Sequence, residues 1–370
     1  MPEVVDIFVR VNSGGQKLAA SDLMLSIASG TQGDVDIHLK MNDAINLIDS
    51  SVKDQETGFK TDKEFILTAG LYFTGAKSLS LKKKENYTSE KMDEIFLDKW
   101  DRIVSALSNT VQYIEHIGFS GKKLTSKNLI LPVAYYFYIN KLKDNHKNSS
   151  SNRACCDAIF IRQWMLRAMI NGLFQEGTGA TLLKLREIID QNMMEEYFPL
   201  DELFKTKFKK PLTIENDKID DLCNLKYGDV RVLPLLMDLA SFSPDVYQVD
   251  HIWPKDSLLT AKAVRTYYPS ATDAEVDKFK NNCHKLANLE LLRPLKNQQK
   301  SNTLYETWIK NENPDTNYYK EQCIPRIKYY YKNFPKFISE REKILKDRIK
   351  DAFPDSFSEI VTRYGLENKI

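Results

Sequence analysis

The segment Val249-Asp250-His251-Ile252-Trp253-Pro254 constrains this chain more than any other, because two further polar residues stand in fixed order behind it. Asn288 interrupts the apolar run Lys285-Leu286-Ala287-Asn288-Leu289-Glu290-Leu291-Leu292, which has strand length and is closed by Pro294. Asn297 then opens Lys296-Asn297-Gln298-Gln299-Lys300-Ser301-Asn302, a segment that leads into Leu304, Trp308 and Ile309 at helical spacing. Strand, strand and helix in that order predict a small ββα unit. If Asp250 and His251 leave a strand together, their side chains point to opposite faces, and Pro254 stiffens the exit turn. The amide of Asn288 has donors and an acceptor with which to hold the histidine loop across the hairpin.

These residue types suit hydrolysis of a phosphodiester. A histidine with a pKa near ~6.5 is half-ready to take a proton from water at neutral pH, which gives His251 the role of base. Hard oxygen ligands suit Mg²⁺ or Mn²⁺, which would offset charge at the attacked phosphate, and Asp250 and Asn297 can supply them. Any one of these residues alone is more often structural; the ordered set carries the reading. His284, which follows Cys283, reads as a loop residue outside the site. Cys155, Cys156, Cys223, Cys283 and Cys323 contain no C-x-x-C pair, which argues against a ribbon-type zinc site.

The ordered set resembles the HNH, or His-Me finger, nucleases. The resemblance implies that Asp250 binds metal and His251 is the general base. It likewise assigns Asn288 to the second strand and makes Asn297 a metal ligand from the helix. Lys300 falls where the family often keeps a basic residue near phosphate. At the other end, Ile7-Phe8-Val9-Arg10-Val11-Asn12-Ser13-Gly14-Gly15 precedes a helix start at Ser21-Asp22-Leu23, and by itself Gly14-Gly15 reads as a helix C-cap. The pattern of Phe8, Arg10, Asn12, Gly15, Leu18 and Leu23 is similar to the later part of the ParB-like nucleotidase domain in GmrSD-type restriction endonucleases, which also end in an HNH domain. The stretch from Gln163-Trp164-Met165-Leu166 to Gly172-Leu173-Phe174 is similar to their helical middle. One departure is large: the Asp-Gly-Gln-Gln-Arg-type nucleotide motif that lies upstream in that family is missing. The resemblance therefore implies a truncated nucleotidase domain, with Arg10 and Asn12 completing a nucleotide site supplied by a partner domain or chain.

The expected fold class is mainly α, a multi-helix body with a small ββα-metal (HNH) finger near the C-terminus. The expected division is a nucleotidase remnant over 1–30, a helical domain over 31–225, a nuclease domain over 226–312 and a helical extension over 313–370. Apolar spacing predicts helices over Lys63–Phe73, Ser89–His116, Ser126–Leu142, Cys155–Phe174 and Leu182–Met194, with a polar loop over Lys143–Arg153. Thr272-Asp273-Ala274-Glu275, between the two strands, has the form of a capping box. No apolar stretch is long enough to span a bilayer and no signal segment opens the chain, so the expected location is the cytoplasm. Five cysteines in 370 residues do not make a disulfide framework, in keeping with a reducing compartment.

A net charge of +2 gives no global drive toward nucleic acid, so DNA contact would depend on local patches. Lys205, Lys207, Lys209 and Lys210 form one, Lys82, Lys83 and Lys84 another. In Lys328-Tyr329-Tyr330-Tyr331-Lys332 the rings could stack on bases or form an amphipathic core edge. The function expected from all this is a Mg²⁺- or Mn²⁺-dependent DNA endonuclease, acting on base-modified DNA in phage defence. One such finger cuts one strand at a time, so a double-strand break calls for two copies or two encounters. The alternatives are an HNH nickase or RNase indifferent to modification, and a catalytically silent DNA-binding or assembly subunit.

Overall fold

The computed structural model describes residues 19–31, 36–51, 59–119, 124, 126–193, 196–229, 231–240 and 247–370. Arg10, Asn12 and the glycine pair after them lie outside the described residues. Helix dominates, and among the described residues strand is confined to β1, Gln248–His251, and β2, Leu289–Leu292. No helix of the described residues is long and apolar enough to cross a membrane.

Helix starts follow local chemistry. Asp62 accepts from the Phe65 amide at 2.8 Å to begin Lys63–Phe73, and Ser151 accepts from Ala154 to begin Asn152–Ile170. The capping box at Thr272 and Glu275 opens Asp273–Asn282 as its sequence predicts. The expected helix over Ser89–His116 is instead divided: Ser89–Asp93 passes through a wide π-turn, Glu94–Asp98, before Trp100–His116. The π-turn keeps both Ile95 and Phe96 buried, which a straight continuation need not do. The expected loop over Lys143–Arg153 contains a short 3₁₀ turn, Asp144–Asn148, and ends inside a helix whose first residue is Asn152.

One continuous core runs from Met24 to Leu366. Two connections tie the helical body to the strand pair. The first is steric. Trp100–His116 ends at Gly118, whose φ is +101° and where a Cβ would stand 2.5 Å from the Met237 sulfur. The positive φ favours glycine at this helix end, which packs on Val232–Leu239, and that helix in turn packs against both β1 and β2.

The second connection is polar. Asp238, fully buried on Val232–Leu239, accepts from Tyr364 at 2.7 Å and from Gln163 at 3.1 Å, and lies 3.3 Å from Arg162. Arg167, one turn after Gln163, donates to the carbonyls of Leu212 and Pro354. The helix Asn152–Ile170 is thus joined through charged side chains to both the strand-supporting helix and the C-terminal helices. Phe334–Ala352, the long helix after the strands, packs on Asn216–Cys223, Val232–Leu239 and Asp273–Asn282. Its Arg341, fully buried, donates to the carbonyls of Gln322 and Leu286.

Replacing Asp238 by Ala leaves the buried Arg162 without its carboxylate. The expected loss is about 3–5 kcal/mol in unfolding free energy, measured by urea titration. A loss below about 1 kcal/mol would show that the network contributes little to joining the two halves.

Candidate functional site

β1 and β2 pair antiparallel, with Asp250 opposite Glu290 and His251 opposite Leu289. Alternation along β1 puts Gln248 and Asp250 on one face and Val249 and His251 on the other. The helix Pro294–Lys300 begins with proline at its first turn, where the missing N–H costs nothing, and lies across the Gln248/Asp250 face. Asn297 donates to the Gln248 side chain at 2.7 Å, and Lys300, three residues on, reaches Asp250 at 2.6 Å. The spacing of the helix therefore matches the spacing of alternate strand residues.

Lys300 is 1 % exposed, and its ammonium donates to Asp250 Oδ2, to the His251 carbonyl at 2.7 Å and to Glu290 Oε1 at 2.7 Å. Those three bonds use all three of its hydrogens. Lys300 thus differs from the expected phosphate contact: it is buried and its donors are committed within the protein. Tyr318 donates to the other Glu290 oxygen at 2.7 Å, which satisfies the second carboxylate. Ser301 follows at φ 44°, a conformation that ends the helix at once. The expected run from Asn297 through Trp308 is accordingly two helices, with Tyr305–Glu312 separate.

Asn288 also sits differently from expectation. It belongs to a 3₁₀ turn, Leu286–Asn288, and not to the strand, which is four residues long. Its side chain accepts from the Trp253 amide at 2.9 Å and donates to the carbonyls of Trp253 and Cys283 at 3.1 and 2.8 Å. The Asn288 carbonyl accepts from Ile252. A fully buried asparagine with every one of these contacts on backbone fixes the loop after His251, and leaving strand geometry is what lets it face both Trp253 and Cys283. Trp253 anchors the same loop from inside, among the rings of Tyr305, Tyr331, Phe334 and Phe337.

His251 is 7 % exposed and packs against the Tyr227 ring, 4.6 Å between centroids. Its Nε2 meets Nδ1 of His284 at 3.0 Å. Burial, with smaller contributions from His284, Lys300 and Lys255, lowers its pKa to about 4, so the imidazole is neutral across the neutral range. His284 is therefore a neighbour of the proposed base, although its position after Cys283 reads as an ordinary loop in the sequence. No strand periodicity could reveal it, because its placement depends on a contact distant in sequence, in which the Tyr227 amide donates to its carbonyl at 2.8 Å. The outer edge of β2 is closed by Gln322, which both accepts from and donates to the Leu291 backbone.

The expected DNA patches fare unequally. Tyr331 is buried with its hydroxyl on the Ser257 carbonyl, and Tyr329 packs on Tyr305, so in Lys328–Lys332 only Tyr330 offers a largely open ring. Lys205 is exposed but lies 2.8 Å from both Asp201 and Glu202. A cleft of about 1440 Å³ lies elsewhere, between residues 213–219 and 350–363. Glu215, Asp217, Asp351, Asp355 and Glu359 outnumber Lys350 and Arg363 along it, which disfavours a nucleic-acid backbone there.

No protein-family model matches the chain, and no curated protein matches it significantly in sequence.

Lys300→Met would leave Glu290 buried without its cation, and is expected to lower unfolding free energy by about 3–5 kcal/mol; a stability equal to wild type would refute the central role of this ion cluster. His251 supplies a pH signature. Its folded pKa is depressed below the unfolded value, so the stability from keeping it neutral is complete above pH ~6.5 and is lost as pH falls through about 4. The stability difference between wild type and His251→Phe should shrink, by on the order of 3 kcal/mol, between pH 7 and pH 4 in urea titrations. A difference independent of pH would contradict the depressed value.

Proposed function

We propose that the chain is an HNH-type, metal-dependent DNA endonuclease of the modification-dependent restriction kind, with β1, β2 and Pro294–Lys300 as its ββα-metal finger. The observation that carries the reading is the arrangement of Asp250 and His251 on opposite faces of one strand end, with Asn297 on the Asp250 side and Asn288 fixing the loop beyond. Such a division separates a cation ligand from a base across a distance of one residue.

The donor set fits a hard divalent ion. Asp250 gives one oxygen to Lys300, while its other oxygen makes no hydrogen bond among the described residues. Asn297 commits its amide nitrogen to Gln248, which turns the carbonyl oxygen away from that contact. These two oxygens would hold Mg²⁺ or Mn²⁺, which when bound would stabilise negative charge on the phosphate and the departing oxygen. His251 performs the proton step. With Nε2–H donating to His284 Nδ1, its free lone pair is on Nδ1, where it accepts a proton from water; the resulting imidazolium remains hydrogen-bonded to His284. In that arrangement His284 holds the ring, and Asn288 sets the loop that carries the base.

One observation favours the second reading, a silent DNA-binding or assembly subunit. The Lys300 ammonium already stands between Asp250 and Glu290, supplying a positive charge beside the Asp250 carboxylate.

The test is cleavage of plain and base-modified plasmid with Mg²⁺ or Mn²⁺ by wild type, His251→Ala and Asn297→Ala. Wild-type cleavage that EDTA abolishes, and a fall of at least about 100-fold in either variant, is the expected result. Preference for the modified plasmid supports restriction. DNA binding by wild type without any cleavage would overturn the catalytic reading in favour of the silent subunit.

A further inference from the structure

His251, His284 and Cys283 offer a second donor set, distinct in chemistry from the oxygens of Asp250 and Asn297. Their ligand atoms, two imidazole nitrogens and one sulfur, all lie within 4.8 Å of one another. A tetrahedral Zn²⁺ site has Zn–N near ~2.0–2.1 Å and Zn–S near ~2.3 Å, which sets ligand-to-ligand edges of roughly 3.3–3.6 Å. The two nitrogens are at 3.0 Å, so modest side-chain rotation closes the set.

We propose that these three residues form a binding site for one soft divalent cation of the Zn²⁺ class, and that its occupancy switches off the base. Nitrogen and sulfur donors select such a cation over Mg²⁺, which prefers oxygen. The scaffold beneath the site is fixed on both sides: the Cys283 carbonyl accepts from Asn288, and the His284 carbonyl accepts from Tyr227. The competing explanation of the His251–His284 contact is a simple imidazole–imidazole hydrogen bond, which leaves the thiol without a part. Cys283 is fully buried with only a long contact, 3.9 Å, to the Lys255 carbonyl, so turning toward the histidines gives up little. Coordination releases the thiol proton to solvent and the cation replaces the hydrogen shared by the two rings. His284 is partly exposed, which leaves the fourth position to water.

The inhibitory consequence depends on the nuclease reading. Ligation through Nε2 forces the remaining imidazole hydrogen of His251 onto Nδ1, and the lone pair that would accept a proton is lost.

The experiment begins with full-length protein freed of metal and titrated with Co²⁺, a spectroscopic stand-in for Zn²⁺, without DNA. One equivalent should produce tetrahedral visible bands and a thiolate-to-cobalt charge-transfer band, both displaced by Zn²⁺. Cys283→Ser, a near-isosteric change, should remove the charge-transfer band, and His284→Ala should weaken binding at least about tenfold. Circular dichroism confirms that each variant is folded. Absence of the charge-transfer band in wild type, or binding unchanged in both variants, overturns the site whether or not the protein cuts DNA. Where Mg²⁺-dependent cleavage is present, one equivalent of Zn²⁺ should suppress it; cleavage unaffected at full Zn²⁺ occupancy overturns the switch and leaves the nuclease reading intact.

Discussion

The ammonium of Lys300 is the centre on which the strand-and-helix unit depends. It joins the helix that bears it to its sequence neighbour β2 through Glu290, and to β1, 50 residues away, through Asp250 and the His251 carbonyl. A two-stranded ribbon with four residues a side has little independent stability in water. A buried cation between two facing carboxylates fixes its register, since a one-residue slip would turn Asp250 or Glu290 away from the charge. Such a cluster adds less net energy than hydrocarbon of equal volume would, but breaking it is expensive, and that asymmetry is what holds one arrangement.

Around this centre the helical body acts as a support for the site. The helix Val232–Leu239 touches both strands and carries Asp238, which engages Gln163 and Tyr364 from segments 201 residues apart. The ring cluster about Trp253 holds the loop after His251 from within, while Asn288 holds it by hydrogen bonds. The result is a histidine whose backbone is fixed on each side, with its ring in a pocket dry enough to keep it neutral. The same rigidity that would serve proton transfer also brings His284 and Cys283 to the ring.

Several elements were legible in the sequence because their causes are local. Lys63–Phe73 has a capping aspartate and an uninterrupted apolar face, and its limits agree with the pattern. Thr272 and Glu275 satisfy each other's backbone donors, and the helix begins there. Asn288 as a clamp on the histidine loop was likewise legible, since an amide inside an apolar run must find partners. Its secondary structure was not: the apolar run concealed a 3₁₀ turn, because burial on all sides removes the alternation that separates strand from turn. The division of Ser89–His116 was hidden for a related reason, as a π-turn rotates the buried face without altering composition.

The sequence by itself determined the helical body, the order of strand, strand and helix, and the polar residues that intrude on them. Each of these follows from short-range periodicity, capping or proline chemistry. The tertiary structure decided which charges would be spent internally. Lys300 reads as a basic residue available to phosphate, yet the pairing of β1 with β2 puts two carboxylates and the His251 carbonyl within its reach, and burial commits it to them. It also decided that His284 faces His251, a contact made by chain segments 33 residues apart and fixed by Tyr227 from a third. Local pattern specifies which elements form, but electrostatic neutralisation inside a core depends on what the fold brings together.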